Sequence, residues 1–151
     1  MKPGIAAGAL LAGMLATTMQ AHAALGESID TVQTEKSAMH AKAQAIRGAG
    51  SYVVHEIQAP SGTVVREYAA ADGKVFAVAW EGPVLPDIRQ LLGKYFPRYA
   101  DTMQGRRPAQ RHASLRHPDL VIESHGRMGA FAGQAYLPGS LPPGVTPDVL
   151  R

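Results

Sequence analysis

Apolar residues concentrate in three consecutive stretches, "SYVVHEIQA", "TVVREYAA" and "KVFAVAW", broken by polar turn residues. Val, Ile, Tyr and Thr favour β-strands, so each stretch reads as one. Between the first two lies Pro60-Ser61-Gly62, which fits a three-residue hairpin loop closed by a glycine at positive φ. Between the second and third lies Asp72-Gly73, which fits a two-residue hairpin loop. Two loops fix a register, and register decides faces. Ala59 is then opposite Thr63 and Ala71 opposite Lys74. His55 faces Glu67, Glu56 faces Arg66, Glu67 faces Val78 and Val65 faces Trp80. One face collects Val53, His55, Ile57, Val65, Glu67, Phe76, Val78 and Trp80. The other collects Tyr52, Val54, Glu56, Val64, Arg66, Tyr68, Val75, Ala77 and Ala79. Opposite charges meet on both faces, which supports the register. The third strand is apolar on both faces and is expected to be covered on both.

On either side of this meander the apolar spacing becomes helical. Leu25, Ile29, Val32, Lys36, Met39, Ala43 and Ile46 recur at a 4-3 spacing, the stripe of a helix over residues 27–46. "GAG" at 48–50 ends it. The stripe packs on the protein's own sheet or serves self-association through Leu25 to Ile46, although Lys36 and Ala43 make a poor zipper. After the break at Glu81-Gly82-Pro83, Pro86 opens a second helix at a position that tolerates proline. Ile88, Leu91, Leu92, Tyr95 and Tyr99 carry its apolar side, Gly93 weakens it and Pro97 ends or kinks it. Residues 101–119 read as a basic loop. "LVIES" and "MGAFAGQAYL" flank His125-Gly126 as a last hairpin, where Gly129 and Gly133 beside Phe131 admit a close neighbour. The tail, with Pro138, Pro142, Pro143 and Pro147, is expected to run extended over the surface with a last turn after Pro147. The expected fold class is α+β: an antiparallel sheet made of a three-stranded meander plus a C-terminal hairpin, packed with an N-terminal and a middle helix.

The first residues stand apart. Lys2 precedes "IAAGALLAGMLATTM", fifteen residues without charge, and then Ala21-His22-Ala23. This is the pattern of a secretory signal peptide cleaved between Ala23 and Ala24. An uncleaved anchor would want about 20 apolar residues. The expectation is an exported protein, periplasmic or extracellular, with residues 24–151 as one small domain and no transmembrane segment after cleavage. Without Lys2 the chain keeps 14 Lys and Arg against 12 Asp and Glu, too near neutral to imply nucleic acid. It has no cysteine, so its core must hold without disulfides, and thiol catalysis and Cys-based zinc sites are excluded.

Candidate chemistry is sparse. A carboxylate beside an imidazole orients it and raises its pKa, so His55 with Glu67 is the candidate general base of a small hydrolase or lyase. No nucleophile accompanies the pair in a recognisable motif, and a cross-strand pair at the sheet edge is the favoured reading. His112, His117 and His125, with Asp119 or Glu123, lack the spacing of a closed metal set. No metal and no cofactor is expected. "GRRPAQRHASLRHP" holds four arginines, Arg106, Arg107, Arg111 and Arg116, and no acid. Guanidinium forks suit phosphate and carboxylate, so the loop is the candidate site for an anionic ligand or an envelope protein; a solvated loop is the alternative. No aromatic residue interleaves the arginines, which weighs against single-stranded nucleic acid.

"YVVHEIQAPSGTVVREY", "GKVFAVAWEGPVLPDIRQLLGKYF" and "RMGAFAGQAYLPGSLPPGV" together resemble the bacterial family called domain of unknown function 2844. The resemblance spans essentially the whole of residues 24–151. It implies an exported protein with a single small domain, and it carries no activity or catalytic residue to place on this chain. The expected function is a non-enzymatic binding or accessory protein of the cell envelope, with the His55/Glu67 enzyme as the alternative.

Overall fold

The computed structural model describes residues 24–29, 42–48, 50–104 and 112–150. Seven antiparallel strands form one sheet: β1 (Lys42–Gly48), β2 (Tyr52–Gln58), β3 (Val64–Ala70), β4 (Val75–Gly82), β5 (Ala113–His117), β6 (Leu120–Arg127) and β7 (Ala130–Tyr136). Their order across the sheet is β1-β2-β3-β4-β7-β6-β5. The meander and the last hairpin are therefore parts of one sheet, joined where β4 pairs with β7.

The expected register of the meander is present from Val64 to Tyr68. His55 faces Glu67, Glu56 faces Arg66, Glu67 faces Val78 and Val65 faces Trp80. Arg66 Nε donates to Glu56 Oε2 at 2.8 Å. The loop before β4 differs from the two-residue reading. Ala70 N–H donates to Lys74 O and Gly73 N–H to Ala70 O, so three residues, Ala71 to Gly73, make the turn. Gly73 has φ +80°, and Asp72 Oδ1 accepts from Lys74 N–H. The longer loop forces an irregularity between Tyr68 and Ala69, which exchanges the faces of the next two residues. Val75 joins Val78 and Trp80, whereas Phe76 joins Tyr68 and Ala77 on the opposite side.

The N-terminal helix is the main correction. Residues 24–29 form a turn and a β-bridge: Gly26 N–H donates to Val75 O, Val75 N–H to Glu27 O and Ile29 N–H to Gly73 O. Lys42–Gly48 is strand β1, paired to β2 with a bulge between Gln44 and Arg47. Residues 30–41, the middle of the expected helix, lie outside the described residues. A 4-3 apolar spacing cannot by itself distinguish one helix from a turn and a strand that happen to share it. Pairing to β2 overrides the weak strand preference of "KAQAIRG". Leu25 and Ile29, the first two positions of the stripe, are buried in the core.

The middle helix begins where expected. Asp87 caps α1 (Ile88–Leu92) by accepting from Gln90 N–H at 3.1 Å. Ile88, Leu91 and Leu92 are buried, each worth roughly 1.5–3 kcal/mol. A 3₁₀ turn over Gly93–Tyr95 then leads into α2 (Phe96–Met103). Pro97 lies in the first turn of α2, where its missing N–H costs nothing, so it starts a helix there. Among the described residues no helix is long and apolar enough to cross a membrane.

Two apolar clusters sandwich the sheet. The first contains Val65, Val78, Trp80 and Ile122 under Leu25, Leu91 and Leu92. The second contains Tyr68, Phe76, Ala77 and Ala79 under the C-terminal tail, whose Leu150 is buried. As expected, β4 is covered on both faces. Gly133 of β7 lies opposite Trp80, and the indole occupies the space a side chain would take there.

Candidate binding edge at strand β5 and the buried His55–Glu67 pair

Part of the segment read as a basic loop is structured. Residues up to Met103 belong to α2, and Ala113–His117 is strand β5. β5 turns through Pro118 and Asp119 into β6, with His117 opposite Leu120. The signal was present in "ASLRHPDLVI": alternating residues around a Pro-Asp turn. The last hairpin turns at Met128-Gly129, with Arg127 opposite Ala130, and His125-Gly126 lies within β6.

β5 is the last strand in the sheet order. An edge strand presents backbone groups that can pair with another chain. Its brevity and its charged residues also limit indiscriminate pairing. Arg116 projects from the face that carries Glu123, and its guanidinium is paired with the Glu123 carboxylate. Gln134 also reaches Glu123. At the turn, Arg98 of α2 makes two hydrogen bonds to Asp119, at 2.8 and 2.9 Å, and His117 Nδ1 contacts the same carboxylate. The Arg98 guanidinium first, and His117 second, hold the Asp119 carboxyl below the usual carboxylate range. Arg98, Arg116 and His117 thus face two acids of the same sheet end. Any surplus positive charge of the segment resides in Arg106, Arg107 and Arg111, which lie outside the described residues.

His55 and Glu67 are brought opposite each other, as the register required. They are not at the edge. β1 flanks β2, and the pair lies on the face of the first core cluster, with His55 8% exposed and Glu67 fully buried. Trp80, on the same face, has an indole N–H with no acceptor among the described residues. Across β7, Ser124 is buried and hydrogen-bonds Tyr99 of α2; burial pushes the Tyr99 phenol up, and this bond pulls the other way. Burial also raises the Tyr136 phenol, followed by the charge of Glu123. His112 and His125 are exposed, and His125 is on β6. Among the described residues no three His, Asp or Glu side chains gather as metal ligands would. Sequence reasoning missed Thr63. Its buried hydroxyl donates to Val84 O at 2.6 Å and accepts from Val84 N–H at 3.3 Å, fixing the break after β4.

The fold defines a small α+β domain built on one antiparallel sheet. A family model described as "Protein of unknown function (DUF2844)" matches residues 21–150. The chain belongs to this family, as the three sequence blocks anticipated. Comparison with curated proteins and with solved structures found no match.

Proposed function

We propose that this is a non-enzymatic binding or accessory protein of the bacterial cell envelope, exported by residues 1–23. It engages an anionic ligand or an envelope protein through residues 106–116. The supporting observation is the position of β5. The strand that closes the basic segment is at the end of the sheet, with Arg116 and His117 exposed. Because Arg116 already has Glu123, an incoming anion would exchange with that carboxylate, and Arg106, Arg107 and Arg111 add three more guanidinium groups in the same segment. The His55/Glu67 enzyme has less support. A catalytic base must reach its substrate, and both side chains are removed from solvent among core residues.

The test is replacement of Arg106, Arg107, Arg111 and Arg116 by Glu, followed by crosslinking in the envelope fraction. The expected result is loss of the crosslinked product with an unchanged far-UV spectrum. Crosslinks that survive the fourfold replacement would remove the basic segment from the function.

A further inference from the structure

α2 and β5 lie together at one border of the sheet, and both are only half covered. Phe96, Tyr99, Ala100 and Met103 fall at i, i+3, i+4 and i+7, a complete apolar stripe along one side of α2. A stripe of this kind ordinarily disappears into a core, as Ile88, Leu91 and Leu92 of α1 do. Yet none of the eight residues of α2 is buried. The stripe does face the sheet, since Tyr99 bonds Ser124 of β6 and both Phe96 and Tyr99 touch the first core cluster. Its incomplete cover follows from position. α2 packs on β5, and beyond β5 the sheet ends. Arg98 fastens the helix there by its bonds to Asp119, in the turn that follows β5.

β5 is itself ready for a further neighbour. Its residues pair with β6 in unbroken register, and among the described residues their backbone bonds to β6 alone. At the opposite border a bulge between Gln44 and Arg47 interrupts β1, which is one of the ways a sheet edge is blunted. β5 has neither a bulge nor a proline. Its side chains alternate across the sheet. Leu115 lies on the α2 side, half-buried against the first core cluster. Arg116 lies on the other side, with its side chain 76% exposed. A strand laid beside β5 would place alternate side chains in two surroundings: under the apolar stripe of α2, and beside a guanidinium.

We propose that β5 and the overhanging side of α2 form a docking site for an extended segment of an envelope protein, which adds to the sheet as an eighth strand and alternates apolar with acidic residues. This rests on the binding reading above and names the chemistry of the partner. Backbone bonds to β5 supply affinity, and alternate side chains supply specificity. The apolar residues extend the first core cluster under Phe96 and Met103. The carboxylates share Arg116 with Glu123. The same guanidinium rejects a basic strand, whose charges would meet it with like sign.

The test uses the chain from Ala24 onward and three fluorescent peptides of about eight residues, alternating valine with glutamate, serine with glutamate, and valine with lysine. Anisotropy measures affinity, and hydrogen exchange by NMR follows the amides of Ala113–His117. The valine–glutamate peptide should bind at least about tenfold more tightly than either of the others and slow exchange along β5. Arg116→Glu, at an exposed side chain, should reverse the order of the valine–glutamate and valine–lysine peptides. Met103→Ser, outside both core clusters, should weaken the valine–glutamate peptide and leave the fold intact. Binding without slowed exchange in β5 overturns strand addition while leaving the basic segment as an anion site. Equal binding of the serine–glutamate peptide overturns the part given to α2. If no peptide binds, the docking site is overturned, and the fourfold arginine replacement still judges the wider reading separately.

Discussion

Gly133→Ala tests the packing at the centre of the sheet. A Cβ at Gly133 would lie 2.4 Å from Trp80 Cζ2, 2.7 Å from Cε2 and 2.7 Å from the backbone oxygen of Glu123. Ordinary contact begins near 3.4 Å. The indole must therefore shift by about 1 Å within a core packed as densely as an organic crystal. Trp80 is 1% exposed, and Glu123 O belongs to a neighbouring strand, so neither obstacle is the free end of a flexible side chain. Overpacking of this kind costs roughly 1–3 kcal/mol, and the upper end applies because two rigid groups must move. Replacing glycine also restricts the unfolded chain, which returns about 0.4–1 kcal/mol. The net expectation is a loss of about 2 kcal/mol, or a Tm lower by roughly 8 °C for a chain of this size. Thermal unfolding followed by the emission of Trp80, the chain's one tryptophan, measures it directly. Trp80→Phe in the same background should recover part of the loss, with a coupling of about 1 kcal/mol by double-mutant cycle in far-UV dichroism. A Gly133→Ala protein as stable as the wild type would refute the packing account.

Two further predictions concern polar groups. Thr63→Val removes both hydrogen bonds to Val84 from a buried hydroxyl and should cost about 1–3 kcal/mol in urea unfolding, while Thr63→Ser keeps the oxygen and most of the stability; a Thr63→Val protein that is at least as stable as Thr63→Ser would mean that the bonds do not set the stability. The Asp119 carboxyl is held below its ordinary value by Arg98 and His117, so its contribution is present above the unfolded-state value and fades as pH falls through the folded one. Arg98→Gln should raise the Asp119 titration midpoint seen by NMR, and an unmoved midpoint would show that the ion pair does not form in solution.

The meander was legible because it obeys local rules: strand-forming residues, turn residues at fixed offsets, and opposite charges that agree with the resulting register. The same rules misplaced Phe76, since Asp72-Gly73 fits both a two-residue and a three-residue loop and the choice flips the following residues. The helix over 27–46 failed for a different reason. An apolar spacing of 4-3 reports period alone, whereas the pairing of β1 with β2 is a tertiary event. β5 was hidden by its charges, because an edge strand with Arg116 and His117 resembles a solvated loop. The His55–Glu67 pairing could be derived, but its depth could not. Burial depends on Leu25, Ile29, Leu91 and Leu92 closing over that face.

The strand order has a consequence for how the chain closes. Among the described strands, every pairing except one joins neighbours in sequence: β1 with β2, β2 with β3, β3 with β4, β5 with β6, and β6 with β7. Those hairpins close short loops and lose little entropy in doing so. The exception is β4 with β7, where two ribbons must meet across α1, α2 and the basic segment. That seam is also where the indole of Trp80 seats on Gly133. A shape-specific contact thus lies at the one non-local junction among the described strands, where chain connectivity helps least and side-chain fit must decide the alignment of the two halves.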